Sequence, residues 1–159
     1  MARITTNTTG TQPVIVIGLT GADLANANVA LTIPFIQDLT ITNSTGVYAY
    51  TDFSDVDQRK LSTPADNKIG TNVVIDNYAY FGNSAATANT APFLGIASLS
   101  TNKNVLDFKV YWNGTANGAH FYSGTGFITN LAPKTSPTAP VWVTPLDLAV
   151  DGTFTSGTV

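Results

Sequence analysis

Hydrophobic and polar positions alternate through much of this chain, most clearly near its C-terminal end. Trp142, Leu146, Leu148, Val150 and Phe154 share one parity, and Pro145, Asp147, Ala149, Asp151 and Thr153 share the other. Successive side chains of a strand point to opposite faces. This segment therefore has one apolar face for a core and one small, acidic face for solvent. A second strand-like run, starting at Phe121, precedes it across a polar, Pro-containing connection.

The same reading extends along the rest of the chain. Residues 1–12 form a polar, Thr-rich segment expected to be a mobile arm. Val14–Leu19 (VIVIGL) reads as a short buried strand, and Asn28–Ile33 as another, stopped by Pro34. Gln37–Asn43 alternates, with Leu39 and Ile41 on one face and Asp38, Thr40 and Thr42 on the other. Asn43-Ser44-Thr45-Gly46 is a turn signal, after which Val47–Phe53 resumes as a strand carrying Tyr48 and Tyr50. Residues 52–70 are polar and of mixed charge, and predict a long loop of the kind that usually has a function. Asn72–Phe81 returns to strand alternation. Pro92–Leu99 is the helix candidate, with Thr90 as its cap and Phe93, Ile96 and Leu99 as its buried stripe. Asp107–Asn113 alternates with Phe108, Val110 and Trp112 inward and Asp107, Lys109 and Tyr111 outward. The predicted core is Phe108, Val110, Trp112, Trp142, Leu146, Leu148 and Val150. The sum is a single, mainly β domain over residues 1–159. It is a β-sandwich or partly closed barrel with one short flanking helix.

Composition supports a β protein. Hydrophobic residues make up 43% and charged residues only 11%, and every acid is Asp. That charge content is well below the roughly 25% of ordinary soluble domains. Thr and Asn, which favour strands and turns, fill the polar positions. Such a surface suits a protein that buries much of its exterior against copies of itself. The net charge of -3 and the missing basic patch exclude a tight grip on a nucleic-acid backbone. No cysteine is present, so neither disulfides nor thiolate chemistry enter. The N-terminus has no long apolar run, and the expectation is a soluble product made in the cytoplasm, without a membrane segment.

Catalytic chemistry finds little purchase. His120, the single histidine, has no Ser–Asp partner suggested by spacing. Asp52, Asp55 and Asp57 resemble a calcium loop only superficially, for the Gly and terminal Glu of such a loop are missing. No phosphate loop or dinucleotide fingerprint occurs. The expectation is a non-enzyme without cofactor or metal.

The order of segments carries a resemblance. DVDQRKLSTPADNKIG is followed by NVVIDNYAYFG, PFLGIASLS, LDFKVYWNG, and the terminal pair GTGFITNLAP and APVWVTPLDLAVDGTF. Over about residues 35–155 this order resembles the major tail tube proteins of long-tailed bacteriophages, most like those with non-contractile tails. The resemblance implies a virion protein, assembled in the host cytoplasm, whose copies join sheet edges into hexameric rings. The rings stack into a tube that conducts DNA without binding it specifically, and terminator and tip proteins close its ends. It also implies that the long loop, with Asp52, Asp55, Asp57, Arg59, Lys60 and Lys68, reaches the neighbouring ring. Asp38, Asp147 and Asp151 are then candidates for the lumen wall, where like charge keeps DNA from sticking. Two other readings fit a charge-poor β domain. One is a capsid decoration or other virion β protein; the other is a carbohydrate-binding domain using Tyr48, Tyr50, Tyr78 and Tyr80.

Overall fold

The computed structural model describes residues 12–51 and 57–159. Its strands are β1 (Val14–Leu19), β2 (Ala30–Thr32), β3 (Ile36–Tyr50), β4 (Arg59–Val74), β5 (Leu106–Tyr111), β6 (His120–Leu131), β7 (Lys134–Ser136) and β8 (Ala139–Thr158). Two helices, α1 (Asn77–Phe81) and α2 (Ala91–Thr101), lie between β4 and β5. All the strand pairings are antiparallel and build one curved sheet in the order β2-β1-β5-β6-β8-β4-β3, with β7 pairing β8 at the side. The sheet does not close. Where β3 faces the start of β1 and the end of β5, a cleft of about 590 Å³ opens between Ile36, Leu39, Ile41, Pro13 and Trp112.

The concave face holds the core. Ile15 and Ile17 of β1, Ile69 of β4, Phe108 and Val110 of β5, Ile128 of β6, and Leu146 and Leu148 of β8 are buried there with Ile96 and Leu99 of α2. Val150 and Phe154 pack against this cluster from its margin. Phe108 and Phe154 meet edge to face, with ring centroids 6.3 Å apart. Thr144 is buried on the same face. Its hydroxyl accepts from the Ala132 N–H at 3.0 Å and reaches the Pro145 carbonyl at 2.9 Å.

Several sequence expectations change here. Trp142 is not core but 55% exposed, because it lies near the start of β8, before the strand enters the apolar layer at Thr144. Trp112 is only half-buried, at the end of β5, with its ring edge-to-face against Tyr122. Tyr111, expected to point outward, is buried in a satellite cluster with Val16 and Ala30, which covers the other face of the sheet at β1. The segment 59–70 is strand, not loop: β4 pairs with β3 from Tyr50↔Arg59 to Ile36↔Val73. The expected turn at Asn43–Gly46 lies inside β3. Gly46 serves a close approach there, since a Cβ on it would sit 2.0 Å from Thr63 Oγ1.

The expected strand over 72–81 splits into the end of β4 and helix α1. Asp76 starts the helix by accepting from Tyr78 N at 3.1 Å and Ala79 N at 3.0 Å, leaving Tyr80 buried and Tyr78 exposed. The expected helix is α2. Thr90 occupies its cap position, but its hydroxyl bonds Thr87 O at 2.6 Å rather than capping the helix. Gly95, at φ 72°, breaks α2 into two turns and packs its bare Cα against Gly82.

Candidate assembly interface

Three surfaces of the β8–β4–β3 region stand out once the register is known. The first is an edge. β3 has 15 residues, ends the sheet, and has no strand along its outer side among the described residues. Such an edge presents a row of backbone donors and acceptors to any chain that can pair with it.

The second is a ribbon. β8 pairs β4 only over Lys68–Val74, so Thr45–Tyr50 of β3 and Arg59–Ala65 of β4 leave the sheet as a two-stranded arm. Asn67 marks the point of departure, buried and donating through Nδ2 to Gly152 O at 2.8 Å. On the arm Tyr48 lies opposite Leu61 and Tyr50 opposite Arg59, so these four share one face. The Tyr48 and Tyr50 rings stack with centroids 6.2 Å apart, and Val47, Tyr48 and Leu61 are exposed. Of the residues assigned to the inter-ring loop, Arg59 and Lys60 are exposed on the arm, and Asp57 lies just before it. Asp52 and Asp55 lie outside the described residues. Lys68 is not in a loop. It pairs with Thr42 and Ala149 inside the sheet.

The third surface is the face of the sheet opposite the core. The register aligns Asp38 with Asn72 and Pro145, Thr40 with Gly70 and Asp147, Thr42 with Lys68 and Ala149, and Thr125 with Asp151. Asp38, Asp147 and Asp151 are thus brought to one face, as the sequence parity implied. Their settings differ. Asp38 accepts from the backbone N and the Nδ2 of Asn72, at 2.8 and 2.7 Å. Asp147 accepts from Asn130 Nδ2 at 3.0 Å and sits over Gly70, where a Cβ would come within 3.1 Å of Oδ1. Asp151 is exposed beside Gly152, a residue at φ 86°. The face is not purely acidic, because Lys68 borders the same shallow basin of about 380 Å³ as Asp66, Asp147, Thr40, Thr42 and Thr129.

His120 is exposed at the start of β6, its Nδ1 3.3 Å from Thr158 Oγ1. Among the described residues no three His, Cys, Asp or Glu side chains converge on a metal position. The four tyrosines proposed for a sugar groove are separated: Tyr48 and Tyr50 lie on the arm, while Tyr78 and Tyr80 lie on α1, with Tyr80 buried. Sequence reasoning missed an exposed aromatic group at the other end of the strands, Phe35 and Trp142. The Pro34–Phe35 break before β3 was its one available signal.

At the level of sequence, no family model and no curated protein matches this chain. Solved structures do. The chain is similar to one from the tail of an empty gene transfer agent particle of C6 symmetry, with a TM-score of 0.65 and 14% identity over 97% of this chain and 100% of that one. It is similar to one from the sheath–tube complex of an extracellular contractile injection system in the extended state, with a TM-score of 0.55 and 15% identity over 91% and 88%. A chain of the tube-terminating cap of the anti-feeding prophage gives a TM-score of 0.54 at 14% identity, over 100% and 95%. Because contractile systems share the fold, the sequence-based preference for a non-contractile tail has no support from it. The chain has a tail tube fold.

Proposed function

We propose that this chain is a non-catalytic tail tube subunit whose copies form hexameric rings, stack into a tube, and line a channel for DNA. The observation that carries the reading is the β3–β4 pair. A 15-residue edge with no partner strand among the described residues runs on into a two-stranded ribbon that exposes Val47, Tyr48, Tyr50 and Leu61. An isolated two-stranded ribbon is marginal in water, and an open edge invites aggregation. Both become reasonable when a second copy covers them. Edge joining accounts for the ring and the arm for the contact between rings, with Asp57, Arg59 and Lys60 near that contact. In this reading the face that carries Asp38, Asp147 and Asp151, with Lys68 beside them, lines the lumen. The chain would act in a virion tail, with terminator and tip proteins as partners at the tube ends.

Electron microscopy of the purified protein tests this. Tubes or stacked rings with six-fold end views are the expected result. A stable monomer at high concentration overturns it. Isolated trimers would favour the capsid decoration reading instead. Shortening the arm by removing residues 46–63 should leave a folded protein that forms no long tube, and normal tubes from that variant would refute the arm's role.

A further inference from the structure

Most of the large apolar side chains left exposed among the described residues are gathered at two ends of the same strand pair. Val47, Tyr48, Tyr50 and Leu61 lie on the arm. Phe35, Tyr78, Phe81, Val141 and Trp142 lie at the other end. There, Val74 N donates to Phe35 O at 3.2 Å and Ile75 N donates to Trp142 O at 2.8 Å, so Phe35 and Trp142 flank the end of β4 on either side. Helix α1, with Tyr78 and Phe81, departs from that same end. Exposed apolar groups found singly need no explanation, but grouped ones mark interaction surfaces.

Phe35 adds an independent observation. It is 66% exposed, and its φ is 52°. A bulky L-residue rarely adopts that left-handed backbone. The chain accepts the strain at the corner between β2 and β3 and leaves the ring in solvent. Strain of this kind persists where the surrounding structure fixes it and clusters at functional positions.

We infer that the arm of one subunit, through Tyr48, Tyr50 and Leu61, docks on the Phe35–Trp142 end of a subunit in the next layer. The inference rests on the tube reading and names its contact. A second copy is the occupant because this chain carries both the ribbon that needs covering and the apolar end that can cover it. The two patches differ and lie at opposite ends of the strands. Their contact is therefore heterologous and repeats head to tail without closing, which is what a stack requires. The remaining exposed large apolar residues, Val105 before β5, Phe127 on β6 and Val159 after β8, do not share one element.

Two variants test it. One removes the arm contact, Tyr48→Ser with Tyr50→Ser and Leu61→Ser. The other removes the receiving end, Phe35→Asn with Trp142→Thr. Asn tolerates a left-handed backbone and Thr suits an exposed strand, so the second variant should melt with the parent. Should it fold poorly, Tyr78→Ser with Phe81→Ser probes the same end through α1. The parent is examined first, and its failure to form tubes would overturn the tube reading and this inference with it. Given tubes from the parent, each variant alone should stop at single layers. Mixed in equal amounts, they should form two-layer stacks and nothing longer, because one intact arm meets one intact end. Long tubes from the Phe35–Trp142 variant, or the lack of two-layer stacks in the mixture, would overturn this inference while leaving the tube reading in place.

Discussion

Gly95→Ala should destabilise the protein, although Ala is the better helix former. In an ordinary helix interior Ala is favoured over Gly by about 1 kcal/mol. Gly95 is not in helical conformation: its φ is 72° and its ψ 163°. Placing an L-residue in a left-handed backbone costs about 1–2 kcal/mol. A Cβ there would also lie 2.3 Å from Gly82 N, 2.7 Å from the Phe81 carbonyl carbon and 2.7 Å from Tyr80 O. These are backbone atoms of α1 and its C-terminal cap and cannot swing aside as a side chain would, so overpacking adds about 1–3 kcal/mol. The total is about 2–5 kcal/mol, a large share of the stability of a marginal domain. Gly118→Ala is the matched control. Its φ is 86°, but a Cβ there meets nothing within 4 Å, so only the backbone term applies. Urea unfolding of both variants, made in the arm-deficient background so that polymerisation does not mask stability, measures the difference. Gly95→Ala should exceed Gly118→Ala by about 1–3 kcal/mol. Equal losses, or a gain at Gly95, would show that the two helices do not cross at the glycine pair.

Three further outcomes are expected. Phe108→Ala should cost about 3–5 kcal/mol, because the ring is fully buried against Phe154, whereas Trp142→Ala should change stability by less than about 0.5 kcal/mol; thermal melting of the same monomeric background compares them. Thr144→Val keeps the shape but strips the Ala132 N–H of its acceptor at a buried position, at a cost of about 1–3 kcal/mol by urea unfolding. Asp147→Lys with Asp151→Lys should leave the fold intact and give tubes that retain duplex DNA at low salt and release it as salt rises; a co-sedimentation assay showing no salt-dependent retention would remove these residues from the lumen.

The parts of the fold that could be read from the sequence were those where one local signal dominates. Leu146 and Leu148 of β8, Phe108 and Val110 of β5, and the whole of β1 follow from parity and apolar runs. Parity alone could not say where the core ends, so Trp142 was counted in although it lies beyond the edge of the apolar layer. The Asn43–Gly46 signal was overruled by pairing: Asn43 aligns with Asn67, and Ser44 Oγ donates to Asp66 O at 2.7 Å. The β3 half of the arm, Val47–Tyr50, was legible as strand, but its β4 half, Arg59–Ala65, read as loop because Leu61 is its one large apolar residue and no alternation announces the strand. Tyr78, Ala79, Tyr80 and Phe81 alternate like a strand, and a helix of five residues is too short to show its own period. Asp76 ahead of them and Gly82 behind were the usable signals. Of the candidate site, the shared face of Asp38, Asp147 and Asp151 was legible from parity, whereas Lys68 entered that face only through the long-range β4–β8 register.

The low charge of the chain gains meaning from how its acids are used. Asp76 starts α1, and Asp23 bonds Ala25 N at 3.0 Å within its own turn. Asp107 takes Gly21 N at 2.7 Å and the Thr125 hydroxyl at 3.1 Å, tying the β1 turn to β6. Asp38 and Asp147 are engaged with Asn72 and Asn130 on the face opposite the core. Much of the already sparse charge therefore supports the fold, and little is left to hold copies apart by repulsion. A monomer designed for solubility would blunt its edge and cover its apolar ends with charge. This chain leaves a long edge, an apolar ribbon and an apolar end together on the strand pair β3–β4. In one copy each is a liability, and in the proposed stack each would find a partner. Folding and assembly would then be coupled. The arm gains little from burial while the subunit is alone, so in that stack the entropy cost of ordering it would be offset chiefly on contact with the next layer.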